Sequence, residues 1–159
     1  MAALIACPRN EKEINESTQQ MQTVAPRTDL DAFARKLTLP EKPASVLYEK
    51  VFLGEPGPFG PSDYLLVSVM KFEPDVLDRL VAKMVEKKGG PPRISGRSAR
   101  PWFPPEVKAA FGPPEGPSGS MTVRGREFDA KPFLRSPLDQ GIVLSVTGTT
   151  FLIVALQTM

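Results

Sequence analysis

"SDYLLVSVMKFEPDVLDRLVAKMVEKK", residues 62–88, joins a strand pattern directly to a helix pattern. Residues 62–72 are apolar on both alternating faces and rich in β-formers, which is typical of an interior strand. Pro74 suits the first turn of a helix, and residues 74–88 carry an apolar stripe at helical spacing. The stripe contains Val76, Leu77, Leu80, Val81 and Met84. We therefore predict an interior strand followed at once by an amphipathic helix, which Gly89 ends.

Three further stretches carry strand patterns. Residues 44–53 are rich in β-formers, and residues 120–128 give a shorter pattern of the same kind. Residues 141–158 predict two strands around a turn at Thr147 and Gly148. The second of these two strands is apolar on both faces, which again favours an interior position in the sheet.

Two short helices are predicted outside the main one. The first has apolar side chains at i, i+3, i+4 and i+7, with Thr28 as its N-cap and Pro40 beyond its end. Its apolar residues are Leu30, Phe33, Ala34 and Leu37. The second covers residues 105–111, and Gly112 ends it.

The order of these segments predicts an α+β fold. Neighbouring strands are joined by short links and the helices cluster in the middle, which favours an antiparallel sheet of about five strands. Two or three helices are expected to pack on one face of this sheet. The predicted organisation is a flexible tail over residues 1–28, a short helix and linker over 29–41, and a single α+β domain over 42–159.

The composition argues against the common kinds of catalytic centre. The chain of 159 residues contains no histidine and one cysteine. It therefore lacks the usual general base near neutral pH, the Ser-His and Cys-His pairs, and the commonest metal ligand. Carboxylates remain as candidates for acid–base work, but the sequence gives no reason to pair any two of them. We predict no enzymatic activity, no catalytic residue, no metal site and no cofactor.

The single cysteine lies in a short motif near the start of the chain. Residues 4–7, Leu-Ile-Ala-Cys, resemble the bacterial lipobox, and a polar stretch follows them. The resemblance implies lipidation of Cys7 and anchoring in the cell envelope on the periplasmic side, with membrane contact only through the lipid. The alternative is an unmodified thiol in a cytoplasmic protein.

A basic loop is the second candidate site. Residues 83–108 contain seven lysines and arginines against two glutamates, while the whole chain has a formal net charge of +2. Such a loop beside aromatic residues is able to bind phosphates and to stack on a base. The candidate ligand-binding residues are Lys87, Lys88, Arg93, Arg97, Arg100, Trp102 and Phe103. The alternative is a solvated loop in which Trp102 anchors the chain to the core, with Arg100 stacked on its ring.

These patterns favour a non-enzymatic binding or structural module over an enzyme. The first hypothesis is a bacterial cell-envelope lipoprotein with a protein partner, which it contacts through the loops at 54–62 and 89–104. The second hypothesis is a cytoplasmic protein that binds an anion or a nucleic acid through residues 87–103. Nucleic acid is the less favoured partner, because the basic excess is confined to one loop.

Overall fold

The computed structural model describes residues 24–54, Pro58 and residues 63–159. The described residues contain seven strands, three α-helices and one 3-10 turn. In chain order they are α1 (Leu30–Ala34), β1 (Ser45–Phe52), β2 (Tyr64–Lys71), α2 (Pro74–Lys83), β3 (Arg93–Ile94), α3 (Pro105–Lys108), β4 (Met121–Thr122), β5 (Gly125–Phe128), the 3-10 turn (Lys131–Phe133), β6 (Gln140–Val146) and β7 (Phe151–Gln157). None of the helices in the described residues is long and apolar enough to cross a membrane.

Five of the strands form one antiparallel sheet in the order β1-β2-β7-β6-β5. The two strands with continuous apolar patterns, β2 and β7, lie side by side near its centre, where both faces are covered. Strands β3 and β4 form a separate pair. The predicted α+β fold with an antiparallel sheet of about five strands is therefore confirmed.

The sheet separates two apolar cores. Helices α1 and α2 pack on one face, where Phe33, Leu77 and Leu80 are buried against the strands. The opposite face is covered by α3, through Val107, and by the loops that carry β3 and β4. Two helices thus share one face, as predicted, and the third and shortest lies on the other face.

The main helix is shorter than its sequence pattern. It ends at Lys83 rather than at residue 88, because the backbone turns to an extended conformation at Met84. The next residues run along the outer edge of β5: the Asp129 N–H donates to Val85 O at 2.8 Å, and the Lys87 N–H donates to Glu127 O at 2.8 Å. Pairing with a strand edge therefore replaces the last helical turn that the local sequence predicts.

An ion pair reinforces this edge segment. The Arg126 guanidinium donates to both carboxylate oxygens of Glu86, at 3.1 and 2.8 Å. The hydrogen bond from Arg126 lowers the pKa of the Glu86 carboxyl, and the positive charges of Arg126 and Lys88 act in the same direction.

Three other boundaries differ from the sequence predictions. Asp29 rather than Thr28 caps α1, since its Oδ1 accepts from the Asp31 and Ala32 N–H groups at 3.0 and 3.1 Å. Helix α3 ends at Lys108. The strand predicted over 120–128 is interrupted between β4 and β5, where Val123 and Arg124 donate their N–H groups to Pro92 and Ala110 instead of continuing one ladder.

The described part of the chain before α1 lies against the outer edge of the sheet. Arg27 and Tyr48 exchange two backbone hydrogen bonds, at 2.8 and 2.9 Å. This pairing covers part of the edge of β1. The rest of the predicted tail, residues 1–23, is outside the described residues, and so is Cys7.

Candidate functional site

The end of the basic loop is held by a buried carboxylate on β1. Glu49 is only 7% exposed and accepts two hydrogen bonds from Arg100, from Nε to Oε2 at 2.8 Å and from Nη2 to Oε1 at 3.0 Å. The Trp102 indole N–H donates to Oε2 of the same carboxylate at 2.7 Å. This Glu49 cluster satisfies a buried negative charge with one guanidinium and one neutral donor, which is the condition for burying it.

The Glu49 cluster places Arg100 and Trp102 in an anchoring arrangement. Arg100 donates to Glu49 from Nε and Nη2, and Trp102 donates from its indole N–H, so these donors are engaged within the protein. The two residues are joined through the carboxylate, and no cation–π contact between them occurs within the described chain.

Phe103 lies in the core beneath the loop. It is 2% exposed, and its ring contacts Trp102 and Phe111 edge-on, with ring centroids 5.0 and 6.0 Å apart. The aromatic residues of the loop therefore face inward, and the candidate site consists of the cationic and polar residues that precede them.

Two neighbouring hollows lie over one end of the sheet. Their volumes are about 440 and 340 Å³, and they share the lining residues Leu65, Ser95, Ser98 and Gln157. We call their combined surface the sheet-end groove. The loop that carries β3 forms one wall of it, and the strand ends of β2, β7 and β6 form its floor.

Apolar side chains from three strands lie at the floor of the sheet-end groove. Leu65 of β2, Ala155 of β7 and Ile142 of β6 lie on three adjacent strands, with Ile142 directly opposite Ala155. Gly141 allows β6 to lie close to β7 here, since any larger residue would place a Cβ against the Ala155 backbone oxygen. Packed, hydrogen-bonded strands therefore supply a rigid floor.

Three of the predicted ligand-binding cations line the sheet-end groove: Lys87, Arg93 and Arg97. Lys87 lies 3.7 Å from Glu127, and Arg93 lies 3.0 Å from Glu115, both as partly exposed surface pairs. Arg97 is exposed and has no carboxylate within 4.0 Å in the portion of the chain that the structure describes. Surface pairs contribute only about 0–1 kcal/mol, so Lys87 and Arg93 can exchange their partners for a ligand at little cost.

Hydroxyl groups complete the wall beside the cations. Ser98 is only 6% exposed, and its Oγ accepts a hydrogen bond of 3.0 Å from Ser95 Oγ. The Ser98 N–H also donates to Ser95 Oγ at 3.2 Å, which fixes the turn between the two serines. Gly96 packs against Ser118, donating its N–H to the Ser118 carbonyl at 3.2 Å. The serine groups are thus positioned by local hydrogen bonds before any ligand arrives.

The described lining of the sheet-end groove contains no aspartate or glutamate. It combines three cations with the hydroxyls of Ser95, Ser98 and Ser118 and the amides of Gln140 and Gln157. The cations, the amides and the Ser98 and Ser118 hydroxyls are able to donate a hydrogen bond to a ligand, whereas the Ser95 hydroxyl already donates to Ser98. The groove therefore presents donors and positive charge to a ligand that supplies acceptors and negative charge.

Another cationic hollow lies at the outer edge of β1. It has a volume of about 360 Å³, and Arg27, Lys36 and Lys50 line it together with Glu49 and Tyr48. The buried Tyr48 hydroxyl has no hydrogen-bond partner within the described chain. Unlike the sheet-end groove, this hollow includes a carboxylate in its lining, which Arg100 already binds.

The remaining predicted site residues lie away from the sheet-end groove or outside the description. Lys88 is exposed and is not part of the described lining of the groove. Most of the predicted contact loop at 54–62 is outside the described residues, as is Cys7. The described residues contain no cluster of three or more histidine, cysteine, aspartate or glutamate side chains suited to a metal ion.

Sequence reasoning missed the partner of Arg100 and the amides of the floor. One signal for Glu49 was present: it alternates with Val51 along β1, so an acidic residue shares a strand face with an apolar one. Gln140 and Gln157 carry no such signal, because polar residues at strand ends are ordinary.

Comparisons with protein-family models, curated proteins and solved structures find no match to this chain.

Proposed function

We propose that this protein is a non-enzymatic binding module that holds an anionic ligand in the sheet-end groove. The observation that carries the proposal is the composition of the lining: three cations, three serine hydroxyls and two amides, with no carboxylate in its described part. Hydrogen bonds from charged donors to an anion are stronger than neutral ones, and positive charge also steers anions toward the groove.

The apolar floor adds a second requirement for the ligand. Ile142 is partly exposed and offers a small nonpolar surface between the polar walls, with the buried Leu65 and Ala155 beside it. A ligand that carries both a negative charge and an apolar portion would bury that portion on the floor at about 25 cal/mol per Å². The arrangement supports binding rather than turnover, since the described lining provides donors but no carboxylate to act as a general base.

Anion binding is expected to depend on the charge of the groove. Titration calorimetry with citrate and with pyrophosphate should show binding that Arg97→Glu weakens about tenfold or more, because a hydrogen bond to a charged group contributes about 1.5–3 kcal/mol. Glu115→Gln should strengthen binding, since it releases Arg93 from its surface pair. Both effects should decrease as salt is raised.

Arg35→Glu is the matched control for Arg97→Glu. Arg35 is exposed at the end of α1, on the opposite face of the sheet, and the substitution makes the same change in net charge. Equal weakening by both substitutions would mean that only the overall charge matters, and the groove assignment would be wrong. Thermal melting of each variant shows whether the fold is retained.

The cellular location is proposed from Cys7 alone: a lipid-anchored protein of the cell envelope, with the cytoplasm as the alternative. If the protein is expressed from its native start in a bacterial host, the wild type is expected in the membrane fraction and Cys7→Ser in the soluble fraction. One acyl chain anchors only marginally, whereas two hold a protein firmly. Soluble, unmodified protein in both cases would favour the cytoplasmic alternative.

A further inference from the structure

We infer that the anionic ligand of the sheet-end groove is an extended acidic peptide segment of a partner protein, lying across the strand ends. This inference rests on the proposed function and adds the class of the ligand to it. Three observations support it: the length of the groove, the distribution of its cations, and the absence of an aromatic stacking surface from its described lining.

The length of the groove follows from the order of the strands. Leu53, which follows β1, lines one end, and Lys87, whose N–H donates to Glu127 of β5, lines the other. Between these two positions the described lining includes residues of the three adjacent strands β2, β7 and β6. At about 4.8 Å between neighbouring strands these three cover roughly 10 Å, and with Leu53 and Lys87 flanking them the groove spans roughly 15–20 Å, the length of about five residues of extended peptide.

The positive charges are distributed along this length rather than gathered at one point. Lys87 and Arg93 line the larger hollow, while Arg97 lines the smaller one beyond the shared serines. A compact anion beside the shared serines uses only the middle of this length. A linear ligand with several negative charges is able to satisfy both hollows, so charge complementarity selects an extended acidic segment.

The groups between the cations suit a peptide backbone. Gln140 and Gln157 each offer both a donor and an acceptor, which matches the alternating N–H and C=O groups of an extended chain. Successive side chains of such a chain point to opposite sides. Apolar residues of the segment therefore meet the floor at the partly exposed Ile142, while acidic residues face the loop wall and solvent.

Single-stranded nucleic acid fits the same charges less well. Binding of this kind uses aromatic side chains on which successive bases stack. The described lining of the groove includes no aromatic residue, and the aromatic residues of the loop are engaged elsewhere. Trp102 is hydrogen-bonded to Glu49, and Phe103 is buried in the core.

The test is fluorescence anisotropy with a labelled octapeptide in which glutamate alternates with leucine and serine, compared with its four-residue half. We expect the octapeptide to bind about tenfold or more tightly than the half-length peptide, since it gains charged contacts in the second hollow. Lys87→Glu and Arg97→Glu, at opposite ends, should each weaken the octapeptide about tenfold, whereas the half-length peptide should respond strongly to only one of them. Arg35→Glu should leave octapeptide binding nearly unchanged.

The outcomes separate this inference from the proposed function. If citrate binding requires Arg97 but the octapeptide binds no more tightly than its half, the proposal of an anion-binding groove stands and the inference of an extended peptide ligand is wrong. An eight-nucleotide oligo(dT) is the second comparison. If it binds more tightly than the octapeptide and this binding depends on the groove residues, the ligand is a nucleic acid and the peptide inference is wrong. If citrate, pyrophosphate, the octapeptide and the oligonucleotide all fail to bind, both proposals are wrong.

Discussion

Replacing Glu49 with alanine is expected to lower the free energy of unfolding by about 3 kcal/mol, the low end of the range for removing one partner of a buried ion pair. The substitution leaves the Arg100 guanidinium and the Trp102 indole N–H without the acceptor that holds both of them. The low end applies because the Arg100 side chain is 26% exposed and recovers part of its hydration. Urea unfolding followed by far-ultraviolet circular dichroism measures the change.

The Arg93–Glu115 pair provides a matched control for Glu49. Its side chains are 46% and 55% exposed, and its closest N–O distance is 3.0 Å, similar to those of the Glu49 cluster. Because solvent screens such a pair, Glu115→Ala should change the free energy of unfolding by less than about 1 kcal/mol. A change of similar size in the two variants would show that burial of Glu49 contributes little, and the anchoring role would be wrong.

The intrinsic fluorescence of Trp102 gives a second measurement of the same cluster. Trp102 is the only tryptophan of the chain, so its emission reports on this loop alone. Loss of the hydrogen bond to Glu49 should change the emission of the folded protein, because the indole N–H must then find water. An unchanged spectrum with unchanged stability would mean that the loop is held by Phe103 rather than by Glu49.

The sheet was predictable because its central strands carry their signal locally. Residues 64–71 and 151–157 are apolar on both faces, and this pattern identifies strands covered on both sides wherever they occur in a chain. The end of α2 was not predictable in the same way. Residues 84–88 continue the helical pattern, but backbone pairing with β5, about 40 residues away, decides their conformation.

The candidate site shows the same division between local and distant information. The charge excess of the loop is local, and it identified Lys87, Arg93 and Arg97, which line the sheet-end groove. Arg100 has the same local character as Arg97, yet Glu49, 51 residues earlier in the chain, binds it. A charge run indicates where cations occur, whereas the fold determines which of them remain available for a ligand.

Phe103→Ala is expected to lower the free energy of unfolding by about 3–5 kcal/mol, the usual cost of removing a buried aromatic ring. The sequence alone also allowed a ligand-stacking role for Phe103, and such a role predicts loss of binding with little change in stability. In the structure the ring is 2% exposed and lies between Trp102 and Phe111, so its removal leaves a cavity beneath the loop that carries Arg97 and Ser98. Urea unfolding measures the loss.

Phe103→Leu distinguishes the two roles in protein that still folds. Leucine keeps the site apolar and fills part of its volume, so the loss of stability should be smaller than with alanine. Because the ring does not line the groove, the affinity for citrate should stay close to that of the wild type. If Phe103→Leu keeps its stability but binds citrate much more weakly, the core position of Phe103 would be contradicted and a ligand-binding role would be supported.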